Sequence, residues 1–287
     1  MKAEEVRNVG VVGCGLMGSG IVEVCARAGL QVMFVEADDE RVANGHALIQ
    51  RSLARAEQRG KLDAETRDRV LASIASSTNV AALADADLVI EAVVELPEEK
   101  QRVFGRLDEV TRPDVVLASN TSSIPIVEIA GATKRPDRVL GMHFFNPPPV
   151  MGLIELIRSI ETSDETLLFA RAMGERLGKR VVVAKDRAGF IVNMLLVPYL
   201  NGAIRMYDEG FATAEDIDAA VSLGLNHPMG PLTLLDYIGL DTAMFVAEVL
   251  YDEFKEPSYA PPPLLKRMVA AGRLGRKSGR GFYEYEK

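Results

Sequence analysis

Residues 9–29 read VGVVGCGLMGSGIVEVCARAG. An apolar run with the character of a β-strand precedes the glycines, and apolar residues recur at helical spacing after them. A strand, a glycine turn and a helix form the context that a G-x-G-x-x-G motif needs to bind a dinucleotide. Gly13 would allow the tight turn, Gly15 would let a pyrophosphate approach the backbone, and Gly18 would let the helix pack against the strand. The stretch therefore predicts a dinucleotide site, with the pyrophosphate facing the N–H groups at the helix start.

An acidic residue follows the second predicted strand. Residues 31–35 form that strand, and Glu36 ends it, close to the acidic position expected about 20 residues after the glycine turn. A carboxylate there can accept both hydroxyls of an adenosine ribose, and it repels a 2′-phosphate. The alternative is a glycine-rich turn beside a solvated acid. Because strand, helix and acid occur in register, we expect a dinucleotide site that prefers NAD to NADP.

The composition restricts the other possibilities. The chain has 287 residues, of which 48% are hydrophobic, which is enough for one large or two modest domains. It contains no run of about 18 apolar residues, so no membrane span is expected. The N-terminal residues lack the apolar region of a signal peptide. The net charge of −8 disfavours nucleic acid as the main partner.

Cysteine and histidine usage points to a cytoplasmic protein without a metal. Cys14 and Cys25 are the two cysteines, and they form no disulfide or metal-binding framework. The three histidines are widely spaced, which argues against a structural zinc site. A reducing cytoplasm is the simplest interpretation.

Strands and helices alternate through the first two thirds of the chain. Further strands are predicted at 86–91, 115–119, 139–143, 153–157 and 179–184. Such alternation is typical of an α/β fold with a Rossmann-like, doubly wound, mostly parallel sheet and helices on both faces. Beyond residues 186–189 the pattern changes to helices alone. We therefore predict a dinucleotide-binding domain over 1–187 and an all-helical domain over 188–287.

Polar side chains collect where predicted strands end. Glu95, Asn120, Ser122 and His143 all fall at such ends. In doubly wound sheets, ligands bind beyond the carboxyl ends of the strands. Four polar residues converging there are more than loop chemistry requires, so we take them as candidates for an active site.

The strand at 153–157 carries a carboxylate between apolar neighbours. Alternation places Glu155 on the same face as Leu153 and Ile157. A carboxylate on an apolar face is costly unless a cation or a donor meets it, and His143 is a natural partner if the two strands are near neighbours. The alternative is an exposed edge strand with a solvated Glu155.

Basic residues recur towards the end of the helix that is predicted after Glu36. Arg51, Arg55, Arg59 and Lys61 fall along its later turns and its end. They can form a solvated helix face or a patch for ligand phosphates, and the sequence leaves both readings open.

The apolar helix after residue 189 is interrupted by Asn193. A buried amide there needs several hydrogen bonds, so Asn193 can either satisfy backbone groups or line a cleft near the domain boundary. Pro198 removes a helical N–H group, and we expect it to kink this helix. His227, beside Pro228, fits a turn or packing residue better than a second base.

Taken in order along the whole chain, these motifs resemble the L-3-hydroxyacyl-CoA dehydrogenases, particularly the short bacterial 3-hydroxybutyryl-CoA dehydrogenases. The segments that carry the resemblance are residues 13–18, 118–123, 141–147, 226–231 and 275–279. The chain has no hydratase module, so it resembles the single-activity members. Members commonly carry Asp where this chain has Glu36, and the longer side chain changes the geometry towards the ribose.

The resemblance implies a role for each matched residue. It implies His143 as the catalytic base, Glu155 as the residue that orients it, and Ser122 and Asn193 as holding the substrate oxygen and His143 in register. It implies that NAD is bound by Gly13, Gly15, Leu16, Met17, Gly18, Glu36, Glu95, Lys100, Asn120, Ser122, Asn146 and Lys277. For the coenzyme A substrate it implies Ser52, Ser122 and Arg59, together with Lys61.

We therefore predict reversible hydride transfer between NAD and a 3-hydroxyacyl-CoA, in a homodimer formed through residues 188–287. One alternative is a related sugar-acid dehydrogenase of the gulonate type, which would need no coenzyme A patch. The other is a catalytically retired, NAD-binding structural protein, as in crystallin-like relatives. Activity on acetoacetyl-CoA separates both alternatives from the main prediction.

Overall fold

The computed structural model describes residues 2–286 and divides into two compact units. The first unit ends at Arg187, and the second begins at Ala188.

An eight-stranded sheet forms the centre of the first unit, in the order β3-β2-β1-β4-β5-β6-β7-β8. Neighbouring strands are parallel except for β6 and β7, which pair antiparallel. The strands are β1 Asn8–Val12, β2 Gln31–Val35, β3 Ile74–Ser77, β4 Leu88–Glu91, β5 Val116–Ser119, β6 Val139–Phe144, β7 Leu153–Arg158 and β8 Arg180–Lys185. The predicted doubly wound, mostly parallel α/β fold is confirmed. Among the strands of the described residues, β3, at the edge of the sheet, is the one that was not predicted.

Helices cover the sheet. They are α1 Leu16–Arg27, α2 Asp39–Gln58, α3 Ala64–Ala72, α4 Pro97–Val110, α5 Ile126–Ala130 and α6 Asp164–Arg176. Several begin at a residue that accepts a hydrogen bond from the first turn, which satisfies an otherwise unpaired N–H group. Asp38 accepts from the Arg41 amide at 2.8 Å, and Asp63 accepts from the Thr66 amide at 2.8 Å. Pro97 occupies the first position of α4, where the N–H group that proline lacks has no helical partner.

The central strands are buried on both faces. Every residue of β4, β5 and β6 is buried, including the two charged or polar residues that close β4 and β5. This is the pattern that helices on both sides of a parallel sheet impose. Cys25 is fully buried in the same core, and Cys14 is almost so.

The strand order brings several chain segments to one edge of the sheet. Since β1, β4, β5 and β6 are parallel neighbours, the residues that follow them meet at the carboxyl edge. β7 runs in the opposite direction, which pairs Glu155 directly with His143 near the end of β6. The topology thus assembles polar groups that are far apart in the sequence.

The second unit is helical. Its helices are α7 Val192–Asp208, α8 Ala214–Gly224, α9 Pro231–Ile238, α10 Leu240–Phe254 and α11 Pro263–Ala270. α7 continues without a break through Pro198. Asp236 holds the C-terminal segment by accepting the amides of Phe282 and Tyr283, each at 2.9 Å. Within residues 2–286, no helix combines the length and the hydrophobicity that a membrane span requires.

Candidate active site

The glycine turn between β1 and α1 has the geometry that a pyrophosphate site requires. Gly13 adopts a φ of 87°, and its amide donates to the Val35 carbonyl at 2.9 Å. A Cβ at Gly18 would collide with the carbonyl oxygen of Gly13, whereas a Cβ at Gly15 would meet no described atom within 4 Å. No side chain of the described residues caps the start of α1. The turn and the uncapped helix start therefore fit the phosphates of a dinucleotide.

Glu36 lies beside this turn. Its Oε1 accepts from the Cys14 amide at 2.5 Å, and its Oε2 accepts from the Ala37 amide at 3.3 Å. The carboxylate is half-buried, in the place where an adenosine ribose is recognised in such folds. Burial, and then the negative charge of Glu36, raise the pKa of Cys14 to about 12. The Cys14 thiol therefore stays neutral at physiological pH and is not a nucleophile.

His143 and Glu155 form a buried pair. Nδ1 of His143 lies 2.7 Å from Oε2 of Glu155, across the antiparallel register of β6 and β7. The Glu155 side chain is 0% exposed and that of His143 is 8% exposed, so the expected contact is present and the exposed-edge alternative is wrong. β8 pairs with the other edge of β7, so β7 is not an edge strand of the sheet. The Phe145 ring packs against the imidazole at a centroid distance of 4.6 Å.

This pairing fixes which imidazole nitrogen can exchange a substrate proton. In the neutral ring, Nδ1–H donates to the Glu155 carboxylate. Proton exchange with a substrate then falls to Nε2, and the carboxylate stabilises the imidazolium that results. The arrangement is that of a general acid–base oriented by a buried carboxylate.

Asn120 and Glu95 fix the polar residues after β5. Asn120 Oδ1 accepts from the Phe144 amide at 2.8 Å, which ties the end of β5 to the residue after His143. Glu95 Oε1 accepts from Thr121 Oγ1 at 2.6 Å and from the Ser122 amide at 2.8 Å. Ser122 is thereby held by its backbone, and its Oγ lies 3.4 Å from the same carboxylate oxygen.

Glu95 is ionised within this network. Burial disfavours its charge, but Lys100 and the donors at Thr121 and Ser122 outweigh burial and hold the pKa of Glu95 below its usual value. The Lys100 ammonium is 3.2 Å from Glu95 Oε2, and the Lys100 side chain is only 1% exposed. The Lys100 ammonium therefore interacts with buried carboxylates and not with solvent. Asn146, by contrast, is exposed after β6.

Two further candidates lie in the second unit. Asn193 is half-buried in the first turn of α7, and this leaves open both of the roles considered for it. The buried amide of α7 is Asn201, 2% exposed, whose Nδ2 donates to the carbonyls of Ser258 and Tyr259 at 3.1 and 3.2 Å. Lys277 is exposed and forms an ion pair with Asp241 at 2.5 Å.

The residues suggested for coenzyme A lie on and after α2. Ser52 is half-buried within the helix, whereas Arg59, at its end, and Lys61 are exposed. Neither cation has an ion-pair partner in the part of the chain that is described. Their exposure fits both a solvated face and a phosphate patch.

Glu91 is one of the buried acids that sequence reasoning did not single out. It ends β4, is 0% exposed and accepts from Lys100 Nζ at 2.7 Å and from Ser119 Oγ at 2.6 Å. Glu91 follows the apolar residues Leu88, Val89 and Ile90, and an acid at the end of such a run is a signal that could have identified it.

Two family models match the chain. The model described as "3-hydroxyacyl-CoA dehydrogenase, NAD binding domain" matches residues 8–187. The model described as "3-hydroxyacyl-CoA dehydrogenase, C-terminal domain" matches residues 189–285.

Known proteins match over nearly the full length. A 3-hydroxybutyryl-CoA dehydrogenase of Mycobacterium tuberculosis is 54% identical over 99% of this chain and 100% of its own. Human mitochondrial hydroxyacyl-coenzyme A dehydrogenase is 43% identical over 98% of this chain and 92% of its own. The crystal structure of (S)-3-hydroxybutyryl-CoA dehydrogenase PaaH1 from Ralstonia eutropha matches with a TM-score of 0.93 and 47% identity, covering 99% of this chain and 100% of that one.

The glycine turn predicts contrasting effects for Gly15→Ala and Gly18→Ala. The first substitution meets open space, so the free energy of unfolding should stay within about 0.5 kcal/mol of wild type. Its methyl group would occupy the room that the pyrophosphate needs, and NADH affinity should fall at least about tenfold. The second forces α1 away from Gly13 and should cost about 1–3 kcal/mol.

Urea unfolding and NADH fluorescence titration measure the two quantities separately. Equal stability losses in both variants would contradict the packing argument, and unchanged NADH affinity in Gly15→Ala would remove the pyrophosphate from this turn.

Proposed function

The chain belongs to the 3-hydroxyacyl-CoA dehydrogenase family, and we propose from that premise that it interconverts a 3-hydroxyacyl-CoA and a 3-oxoacyl-CoA with NAD as its cofactor. The observation that carries the proposal is the buried His143–Glu155 pair at the carboxyl edge of the sheet. The names of the relatives favour the four-carbon pair, 3-hydroxybutyryl-CoA and acetoacetyl-CoA.

His143 is the acid–base group of the proposed reaction. Bound NAD would supply the hydride chemistry, accepting a hydride from C3 of the substrate in the oxidation and returning it in the reduction. During oxidation, Nε2 of His143 takes the proton of the 3-hydroxyl group, and during reduction it returns that proton. Glu155 keeps the imidazole in the required tautomer and stabilises its protonated form. Ser122 donates a hydrogen bond to the substrate oxygen, and Asn193 holds this oxygen and His143 in register.

The cofactor residues follow from the turn and the strand ends. The backbone of residues 13–18 and the start of α1 hold the pyrophosphate, and Glu36 holds the ribose hydroxyls. The remaining contacts proposed for NAD are those of Glu95, Asn120, Ser122, Asn146 and Lys277. Lys100 is buried against Glu91 and Glu95, so its expected role towards NAD is corrected to an indirect one, through Glu95.

Exposed cations after the end of α2 complete the substrate site of the proposal. Arg59 and Lys61 bind the phosphates of coenzyme A, and Ser52, within α2, is the further contact proposed for it. Their exposure and the lack of described ion-pair partners leave their charge available to a ligand.

Assembly and location are part of the same proposal. Large apolar side chains are exposed in the second unit, including Phe211 at 75%, Leu223 at 86% and Leu225 at 62%. Exposed apolar surface of this kind supports a homodimer formed through residues 188–287. The two cysteines are free thiols, which supports a cytoplasmic location.

The direct experiment follows NADH oxidation by acetoacetyl-CoA and by longer 3-oxoacyl-CoAs. We expect turnover with acetoacetyl-CoA and none with gulonate and NAD. Turnover of gulonate alone would favour the sugar-acid alternative, and NADH binding without any turnover would favour the structural one.

The catalytic pair predicts a large and non-additive loss of activity. His143→Asn should lower kcat by about 10²–10⁴ while NADH affinity is largely kept, because a positioned acid–base group is removed. Glu155→Gln keeps the shape but removes the charge, and kcat should again fall sharply. Since the two side chains act as one unit, the double variant should be little worse than His143→Asn. Steady-state kinetics measure these losses; additive losses would separate Glu155 from His143, and wild-type kcat in His143→Asn would overturn the mechanism.

The coenzyme A patch predicts a selective effect on substrate binding. Arg59→Ala with Lys61→Ala should raise KM for acetoacetyl-CoA about tenfold, because contacts to phosphates are lost, and should leave KM for NADH nearly unchanged. Arg102→Ala with Arg106→Ala removes the same charge from an exposed face of α4 and is the matched control. A parallel rise in both KM values, or an equal effect of the control, would refute the patch.

The homodimer predicts a particle of about twice the chain mass of 31.2 kDa. Light scattering at micromolar concentration measures it directly. A monomer at that concentration would contradict the proposed interface.

A further inference from the structure

Glu91 joins three segments of the first unit. Its Oε1 accepts from Lys100 Nζ and from the Val93 amide, each at 2.7 Å, and its Oε2 accepts from Ser119 Oγ at 2.6 Å. The register of β4 and β5 sets Glu91 directly beside Ser119. The carboxylate is therefore fixed by the sheet, by the loop after β4 and by α4, and none of these contacts belongs to the catalytic pair.

Lys100 connects the fixed Glu91 carboxylate to Glu95. Its ammonium lies between Glu91 Oε1 at 2.7 Å and Glu95 Oε2 at 3.2 Å, and its side chain is 1% exposed. A buried ammonium requires carboxylate partners, because water is excluded. A lysine side chain is flexible, so the rigid Glu91 determines where the ammonium lies.

Glu95 in turn holds the turn that carries Ser122. Its Oε1 accepts from the amides of Ser122 and Ser123 at 2.8 and 3.2 Å, and from Thr121 Oγ1 at 2.6 Å. Contacts therefore run without interruption from the buried Glu91, through Lys100 and Glu95, to the backbone of Ser122.

We propose that Glu91 is a positioning residue that holds the 121–123 turn, and with it the Ser122 hydroxyl, through Lys100 and Glu95. Without the charge of Glu91, the Lys100 ammonium has a single carboxylate partner and moves towards it. Glu95 then loses the geometry that gathers the turn amides. The effect of a mobile 121–123 turn on catalysis rests on the proposed function, whereas the mobility of the turn itself does not.

Amide hydrogen exchange of the protein without substrate tests the positioning directly. Glu91→Gln should speed exchange at Ser122 and Ser123 by at least about tenfold, because their acceptor becomes mobile. The matched control is Asp108→Asn, which removes a carboxylate from another buried ion pair of α4, with Arg135 at 2.7 Å. It should leave exchange at Ser122 and Ser123 within about twofold of wild type. Unchanged exchange in Glu91→Gln, or an equal change in the control, would overturn the proposal.

A second variant separates positioning from stability. Glu91→Gln with Lys100→Met removes the buried ammonium together with the charge of Glu91, whereas Glu95 keeps its donors at Thr121, Ser122 and Ser123, so the fold should be retained. Exchange at Ser122 and Ser123 should remain fast in this variant, even with a Tm close to that of wild type. If exchange at this turn is as slow as in wild type, Glu91 only balances a buried charge and the proposal is overturned. This result decides the question even if Glu91→Gln alone does not fold.

A kinetic experiment tests the effect of Glu91 on catalysis, which depends on the proposed function. Glu91→Gln should lower kcat/KM for acetoacetyl-CoA about tenfold in wild type, but much less in a Ser122→Ala background, where no hydroxyl remains to be placed. If Glu91→Gln lowers kcat/KM as much in the Ser122→Ala background as in wild type, Glu91 does not act through the Ser122 hydroxyl. If the wild-type protein does not turn over acetoacetyl-CoA, the proposed function fails, and hydrogen exchange still decides the role of Glu91.

Discussion

The active-site geometry depends on one antiparallel pairing in an otherwise parallel sheet. Because β7 runs against β6, Glu155 faces His143 directly, and their side chains approach to 2.7 Å. The Glu155 side chain is 0% exposed, so its carboxylate has no solvent to satisfy it and must be met by a donor from the protein. The imidazole is held because the carboxylate is buried, and the antiparallel register is what places the two side chains opposite each other.

Carboxylates recur at the carboxyl edge of this sheet, each with a fixed set of donors. Glu36 is held by backbone amides beside the glycine turn, whereas Glu91 and Glu95 share the buried ammonium of Lys100. Buried charge is costly unless it is paired and hydrogen-bonded, so these groups restrict one another to single positions. Preorganisation of this kind is what positioning a substrate against a cofactor requires.

Local patterns allowed much of this to be predicted from the sequence. The glycine turn and most strands depend on short-range spacing, and alternation placed Glu155 on an apolar face. β3 was missed because Ile74–Ser77 reads IASS and has no apolar run. The Glu91–Lys100 contact was missed because it depends on the path of a long side chain. The role of Asn193 stayed open because an apolar sequence around an amide does not determine which way the amide faces.

The tautomer of His143 tests the account most directly. The protein has three histidines, so the ring nitrogens of a ¹⁵N-labelled sample can be resolved by long-range ¹H–¹⁵N correlation, with His143 assigned by its absence in His143→Asn. Neutral His143 should carry its proton on Nδ1, donated to Glu155, which leaves Nε2 as the acceptor for a substrate proton. A proton found on Nε2 of the neutral ring would contradict the proposed orientation by Glu155 and the acid–base role derived from it.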